Sequence, residues 1–272
     1  TVLGDLYHVQ GHTDSMSVPD DAAATNTIHL TGDFISSLSI GYSFPFNGRI
    51  NVELNGTTDH VLSNNNANMK AFFLLNKAGG IAKMVSDFKC RGLDIPAGQT
   101  FDTSPDGGTT SYDLTVQGGL GILYTIFTNA GTFYARGGSH VFGDGGNAFV
   151  PFYNSGTYDP GTSSTTFMGN GLGADGNQVS NYFGGIEFND VTIAMGANHY
   201  RKLLDDMVVK GDLAVTGGNL RGDGNPRRVF LAGDFTHTTV YTFGNSTLFT
   251  LLMDGGGSQS MTLSNGNFRC NL

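Results

Sequence analysis

The sequence predicts an all-β chain wound as a parallel β-helix (β-solenoid). It reads as one domain over residues 1–272 with roughly ten coils. Three observations carry this: a short phrase that recurs, a narrow range of spacings between copies, and two-residue alternation inside them.

The phrase is clearest in V-K-G-D-L, Val209 to Leu213. It returns as V-L-G-D-L (Val2 to Leu6), L-T-G-D-F (Leu30 to Phe34) and L-A-G-D-F (Leu231 to Phe235). A looser copy, V-Q-G-G-L, spans Val116 to Leu120, and a weaker one begins C-R-G-L at Cys90. Internal repeats come first in any reading because they fix the architecture.

The spacings run 28 positions from Val2 to Leu30, 26 from Cys90 to Val116 and 22 from Val209 to Leu231. A second phrase follows each pair, ending in S-N at Asn64, Asn181 and Asn265. Leu30 to Leu62 and Leu231 to Leu263 are both 32 positions, whereas Val116 to Val179 is 63, about one unit more. The blocks are therefore about 1–88, 89–207 with one extra coil, and 208–272 as a truncated copy. Periods of this size belong to solenoids and arrays.

Alternation decides the kind of solenoid. Ile28, Leu30, Gly32 and Phe34 alternate with His29, Thr31 and Asp33. Val209, Gly211, Leu213 and Val215 alternate with Lys210, Asp212 and Ala214. Period two means a strand with one buried face. Coils stacked at about 4.8 Å would give a rod on the order of 50 Å. On this pattern the signature glycines fall on the buried face as a column, and each following Asp points to water.

Composition agrees. Glycine numbers 41, without a collagen-like period, and lies among Asn, Asp, Ser and Thr, which is turn chemistry. Only Tyr200 to Met207 has any helical pattern. The net charge of −9 argues against nucleic acid and against an anionic membrane surface. No run is long enough for a membrane-spanning helix. Two cysteines, Cys90 and Cys270, make no disulfide scaffold, and free buried thiols are the expectation, with a bond to a neighbouring chain as the alternative.

Candidate chemistry is sparse. Arg201, Lys202, Asp205 and Asp206 in H-Y-R-K-L-L-D-D form the densest charged cluster, read as a solvated loop or short helix. Arg227 and Arg228 read as a solvated corner. Aspartates before glycine (Asp106, Asp144, Asp175, Asp223, Asp254) have the hard oxygen chemistry calcium takes, but lack the nonapeptide calcium repeat. G-L-G-A-D-G at Gly171 to Gly176 has neither a strand before it nor a helix after it, so a dinucleotide site is not expected. His8 and His12 share no helical face. Asn55 and Asn245 begin N-x-[ST] sequons, Asp14-Ser15-Met16 resembles an O-glycosylation sequence centred on Ser15, and Arg221-Gly222-Asp223 spells an integrin tripeptide; all three are short enough for chance. No catalytic, cofactor or metal residues are assigned, and no catalysis is expected.

Three stretches carry a resemblance: Q-V-S-N, then I-E-F-N-D-V-T-I (Ile186 to Ile193), then M-V-V-K-G-D-L-A-V (Met207 to Val215). Together they resemble repetitive surface proteins of Bacteroidota exported by type IX secretion, including adhesin-like filaments. The first copy departs from that pattern with A-F-F-L-L-N-K at Ala71 to Lys77. The resemblance implies an extracellular, cell-surface segment with a structural or adhesive role.

The expectation is thus an extracellular structural or adhesive segment of a filament or long adhesin. Its partners would be itself, head-to-tail or by lateral stacking, and surface glycans. Strands at both chain ends without polar caps suggest that the ends continue into more chain or another subunit. One alternative is a carbohydrate-binding or polysaccharide-degrading β-helix, using Tyr42, Phe44, Phe46, Phe133, Tyr134, Phe152, Tyr153 and Tyr158 on sugars. Another is a phage tail-fibre shaft. Residues 131–161, rich in Gly and aromatics, are the candidate protruding feature.

Overall fold

A computed structural model describes residues 5–8, 25–36, 49–64, 71–117, 127–143, 152–169, 186–197, 199–244, 248–264 and 268–272. Among the described residues the chain is an all-β parallel β-solenoid of about eight turns with no helix, the fold class the sequence predicts. The main sheet runs along the whole rod. Its path is Leu6–His8, Phe34–Ser36, His60–Asn64, Ala82–Cys90, Leu114–Val116, Ser139–Phe142, Ser164–Gly169, Asp190–Met195, Leu213–Gly217, Phe235–His237 and Met261–Leu263. Every pairing along it is parallel. Along this path successive strands are offset by 22 to 28 residues, within the 22 to 32 read from the repeats, while on the other walls the offset ranges from 19 to 34.

A second wall precedes each main-sheet strand after Leu6–His8. It is a six-stranded sheet from Thr25–Leu30 to Phe152–Asn154, then a four-stranded sheet from Glu187–Phe188 to Phe249–Met253. A two-stranded sheet, Tyr200–Leu203 with Asn219–Gly222, forms a third wall. So the stretch with a helical pattern is two strands, Tyr200–Leu203 and Met207–Val209. Its inward residues Arg201, Leu203, Met207 and Val209 are buried, and its outward ones are not.

The interior is a continuous apolar column in which phenylalanine clusters near both ends and in the middle are joined by aliphatic windings around Leu203 to Leu231. Phe127 stacks on Phe152 at 4.7 Å, and Phe133 on Phe101 and Tyr158 at 5.8 and 5.3 Å. Each of these pairs is in register between windings, so the stacking follows from the parallel ladder. The described residues of 131–161 are therefore built into the windings. Thr132–Tyr134 pairs on both sides, as does Ser139–Phe142, and Phe133, Phe152 and Tyr158 face the core.

The glycine column is a correction. Gly32, Gly211 and Gly233 do not lie on the buried face. They sit at the corner between the second wall and the main sheet, after Leu30, Val209 and Leu231 and before Phe34, Leu213 and Phe235. Two strands meet at each signature, so the alternation read through it spans a bend. The looser copies differ again: Cys90 ends a main-sheet strand and Gly92 begins the next six-stranded-sheet strand, a different corner.

The corner explains the Gly-Asp pair. The backbone N–H of Asp212 donates to Asp190 Oδ1 of the preceding winding at 2.8 Å. Asp234 N–H donates to Asp212 Oδ1 at 2.8 Å, and Ser260 N–H to Asp234 Oδ1 at 2.7 Å. A Cβ on Gly211 would overlap the Asp190 carboxylate, and one on Gly233 would overlap the Asp212 carboxylate and the Gly211 carbonyl. Glycine leaves the room that the previous carboxylate occupies. The same bond recurs from Asp33 to Asp5, Val61 to Asp33, Ile81 to Asp59, Asp113 to Asp87 and Ser139 to Asp113. These aspartates are staples between windings, satisfying amides at a bend where the sheet ladders change direction.

Candidate functional site

The charged cluster at residues 201–206 comes apart in three directions. Arg201 points inward, fully buried, with its guanidinium 5.1 Å from the Phe167 ring centroid. Burial lowers its pKa to about 9, still above neutrality, so it stays charged, and the aromatic face offsets part of its desolvation. Lys202 points outward. Asp206 lies at the corner and ties windings together: its Oδ1 accepts the Arg228 N–H at 2.8 Å and its Oδ2 the Arg228 guanidinium at 2.7 Å. Asp205 accepts the Asp206 N–H at 2.8 Å. The solvated-loop reading is corrected, because alternation along Tyr200–Leu203 sends one cation into the core.

Arg227 and Asp223 form a two-pronged clasp at 2.9 and 2.7 Å, which holds the Asp223 carboxyl well below the usual carboxylate range. This takes Arg221-Gly222-Asp223 out of contention as an exposed recognition turn. Arg221 and Gly222 lie in a strand, and the Asp223 carboxylate is already held.

The third wall carries an outward row of cations. Lys202 and Arg221 are register neighbours on adjacent strands. The N–H of Gly244 donates to Leu220 O at 2.9 Å, seating the next winding over Arg221. Phe268 then pairs with Phe243, and the N–H of Arg269 donates to Phe243 O at 2.9 Å. Leu220 and Phe243 are buried and Phe268 packs against the core, so Arg221 and the exposed Arg269 fall on the outer side. Arg221 lies 4.4 Å over the Tyr200 ring centroid. Sequence reading missed this row because Lys202, Arg221 and Arg269 stand at unequal distances along the chain. Only the register brings them into line.

The remaining candidates have structural work. Asp106 accepts the Ser104 hydroxyl at 2.7 Å and the Thr110 N–H at 2.9 Å; these bonds lower its pKa to about 2. Asp254 lies in a turn after Phe249–Met253, and its N–H donates to Leu231 O at 3.0 Å. Tyr134 lies under the Arg136 guanidinium at 4.3 Å. Asn55 donates through Nδ2 to Glu53 O at 3.2 Å. His12, Ser15, Tyr42, Phe44, Phe46, Asp144, Gly171 to Gly176 and Asn245 lie outside the described residues, as does the side chain of His8. Among the described residues, no group of three or more His, Cys, Asp or Glu could hold a metal ion. His60, His140 and His237 are buried and face the interior.

Cys90 and Cys270 are free thiols in the described structure. Burial pushes both up, Cys270 to about 12 and Cys90 further. Folded protein at neutral pH is therefore expected to react negligibly with a thiol reagent at Cys90 and slowly at Cys270. Unfolding in denaturant should release both at the rate of a free thiol, as a colorimetric thiol titration would show. Rapid labelling of Cys90 without denaturant would contradict its place in the core.

The outer walls thus offer clasped corners, a hydroxyl-rich main sheet and a row of cations. Compared with protein-family models, with curated proteins and with solved structures, the chain gives no significant match, so the β-solenoid fold is what the structure establishes.

Proposed function

We propose that this chain is a non-catalytic shaft segment of an extracellular filament or long adhesin. One observation carries the reading: one main sheet persists from Leu6–His8 to Met261–Leu263, over a single apolar column that runs from Leu30 to Leu251. Such a body sets a distance and presents a surface; it does not enclose a reaction. The stapled corners and in-register aromatic stacks are bonds between windings, which is what resists pulling along a rod. The phrase-level resemblance to Bacteroidota surface proteins supports a place on the cell surface. The outward main-sheet row Thr115, Val141, Thr166, Thr192, Ala214, Thr236 and Thr262 is uncharged and regular, a face suited to lateral stacking with another solenoid.

The test is imaging of the native assembly together with antibody labelling of intact producing cells. The expected result is rods at the surface, with label lost after brief external proteolysis. Label confined to permeabilised cells would overturn the location. Turnover of polyuronates by the purified chain would overturn the non-catalytic reading, and obligate trimers would favour a tail-fibre shaft.

A further inference from the structure

We propose that the row Lys202, Arg221 and Arg269 is a binding strip for a linear acidic polysaccharide laid parallel to the rod axis. The proposal rests on the reading of the chain as a surface shaft, since it supplies the adhesive element that reading needs. Its test is independent of where the protein resides.

The geometry comes first. Lys202 and Arg221 occupy equivalent outward positions on successive windings, and Arg269 lies two windings beyond Arg221. Windings are spaced at about 4.8 Å, so the three cations cover roughly 14 Å. Gly244 stands between Arg221 and Arg269 with no side chain. Its left-handed backbone, at φ 73°, and the Arg269 carbonyl 2.5 Å from where a Cβ would lie keep the position a glycine. The strip is therefore open in its middle.

The charge pattern comes second. Lys83, Arg136, Lys210, Arg227 and Arg228 each have a carboxylate: Asp59, Asp102, Glu187, Asp223 and Asp206. None of the three cations in the strip forms an ion pair among the described residues, in a chain of net charge −9. Like charges side by side on neighbouring strands cost stability, so Lys202 beside Arg221 is unfavourable until an anion joins them. Arg221 is held flat by the Tyr200 ring, and its shielded Nε makes no hydrogen bond. A guanidinium fixed in plane by stacking presents its remaining N–H donors as a fork, which suits a carboxylate or sulfate.

The repeat comes third. One cation per winding, with one winding skipped, matches a polymer bearing one anionic group per sugar. It is too sparse for duplex DNA, which carries one charge per about 1.7 Å of axis. The Tyr200 face is also taken by Arg221, leaving no free aromatic platform there for an unstacked base.

The test uses the purified chain with polygalacturonate, dextran sulfate and neutral dextran, read by biolayer interferometry and affinity electrophoresis. Wild type is expected to bind one or both acidic polymers, to ignore dextran, and to lose binding as salt rises to about 0.5 M. The polymer bound more tightly tells carboxylate from sulfate. The triple variant K202Q/R221Q/R269Q should bind at least about tenfold more weakly. R228Q, whose guanidinium is already paired with Asp206, should bind like wild type. The single variants K202Q and R269Q should each show part of the loss and keep the test valid if the triple variant misfolds. Triple-variant binding equal to wild type would overturn the proposal. So would equal binding to dextran, no binding to either acidic polymer, or tighter binding to single-stranded DNA. A chain that fails here yet labels at the cell surface would remain a shaft without this strip.

Discussion

Gly233→Ala is expected to destabilise the fold by about 2–3 kcal/mol, seen as a lower urea midpoint at unchanged slope. The added Cβ would lie 2.5 Å from the carbonyl carbon of Gly211 and closer still to the Gly211 oxygen and Asp212 Oδ1. Two of those three atoms are backbone, fixed by the stack, so no side-chain rotation relieves the overlap. The winding must lift at that corner, which also stretches the 2.8 Å bond from Asp234 N–H to Asp212. Gly211→Ala should cost less, because its worst overlap is with the Asp190 carboxylate, which can swing aside by giving up its bond to the Asp212 N–H. Gly256→Ala is the control: a Cβ there meets nothing within 4 Å. It should be neutral or slightly stabilising through the unfolded chain. A Gly233→Ala protein as stable as wild type would show that the corners do not stack as described.

The sequence made the winding legible for a physical reason. A solenoid repeats the same bend, and an Asp that accepts the next winding's amide recurs at the coil length; glycine precedes it at Gly32, Gly211 and Gly233, whereas Thr58, Ser86, Tyr112 and Asn189 precede Asp59, Asp87, Asp113 and Asp190. What the sequence could not show was which atoms the pair serves. Period-two counting through Leu30, Gly32 and Phe34 gives the correct inward residues at both ends and hides the corner between them, since Gly32 and Asp33 take the places of two strand residues. Arg201 illustrates the opposite failure. Charge predicts solvent, but its neighbours Leu203 and Met207 share its face, and that face is the core. The cation strip needs the register between windings. Windings of unequal length put Lys202, Arg221 and Arg269 at irregular chain distances, so no spacing rule finds them.

Acid should loosen the solenoid before its carboxylates titrate. His140 is buried in Ser139–Phe142, with Phe133 edge-on at 5.9 Å. Its Nδ1 accepts the Leu114 N–H at 3.2 Å, so its Nε2 carries the proton donated to Ala135 O at 2.7 Å. That tautomer leaves no acceptor once Nδ1 is protonated. Burial outweighs the Ala135 bond and the Asp113 charge, lowering the pKa from 6.5 to about 4. The unfolded chain therefore takes up this proton first. Stability from His140 is whole above pH 6.5, falls as pH drops toward 4, and is constant below that. A difference of about 2.5 units corresponds to about 3 kcal/mol. His60, against Lys77 Nζ at 3.0 Å, and His237, beside Phe235 and Phe243, are also lowered by burial and act in the same direction. Asp94, raised by burial, gives back part of the loss. The lowered carboxylates of Asp59, Asp106 and Asp223 lose their contribution only further into acid. Urea unfolding between about pH 7 and pH 4.5 should show the midpoint falling through this window, and His140→Gln should flatten the slope by close to one proton. An unchanged slope in that variant would mean that His140 is not sealed between windings, and that the interior there admits water.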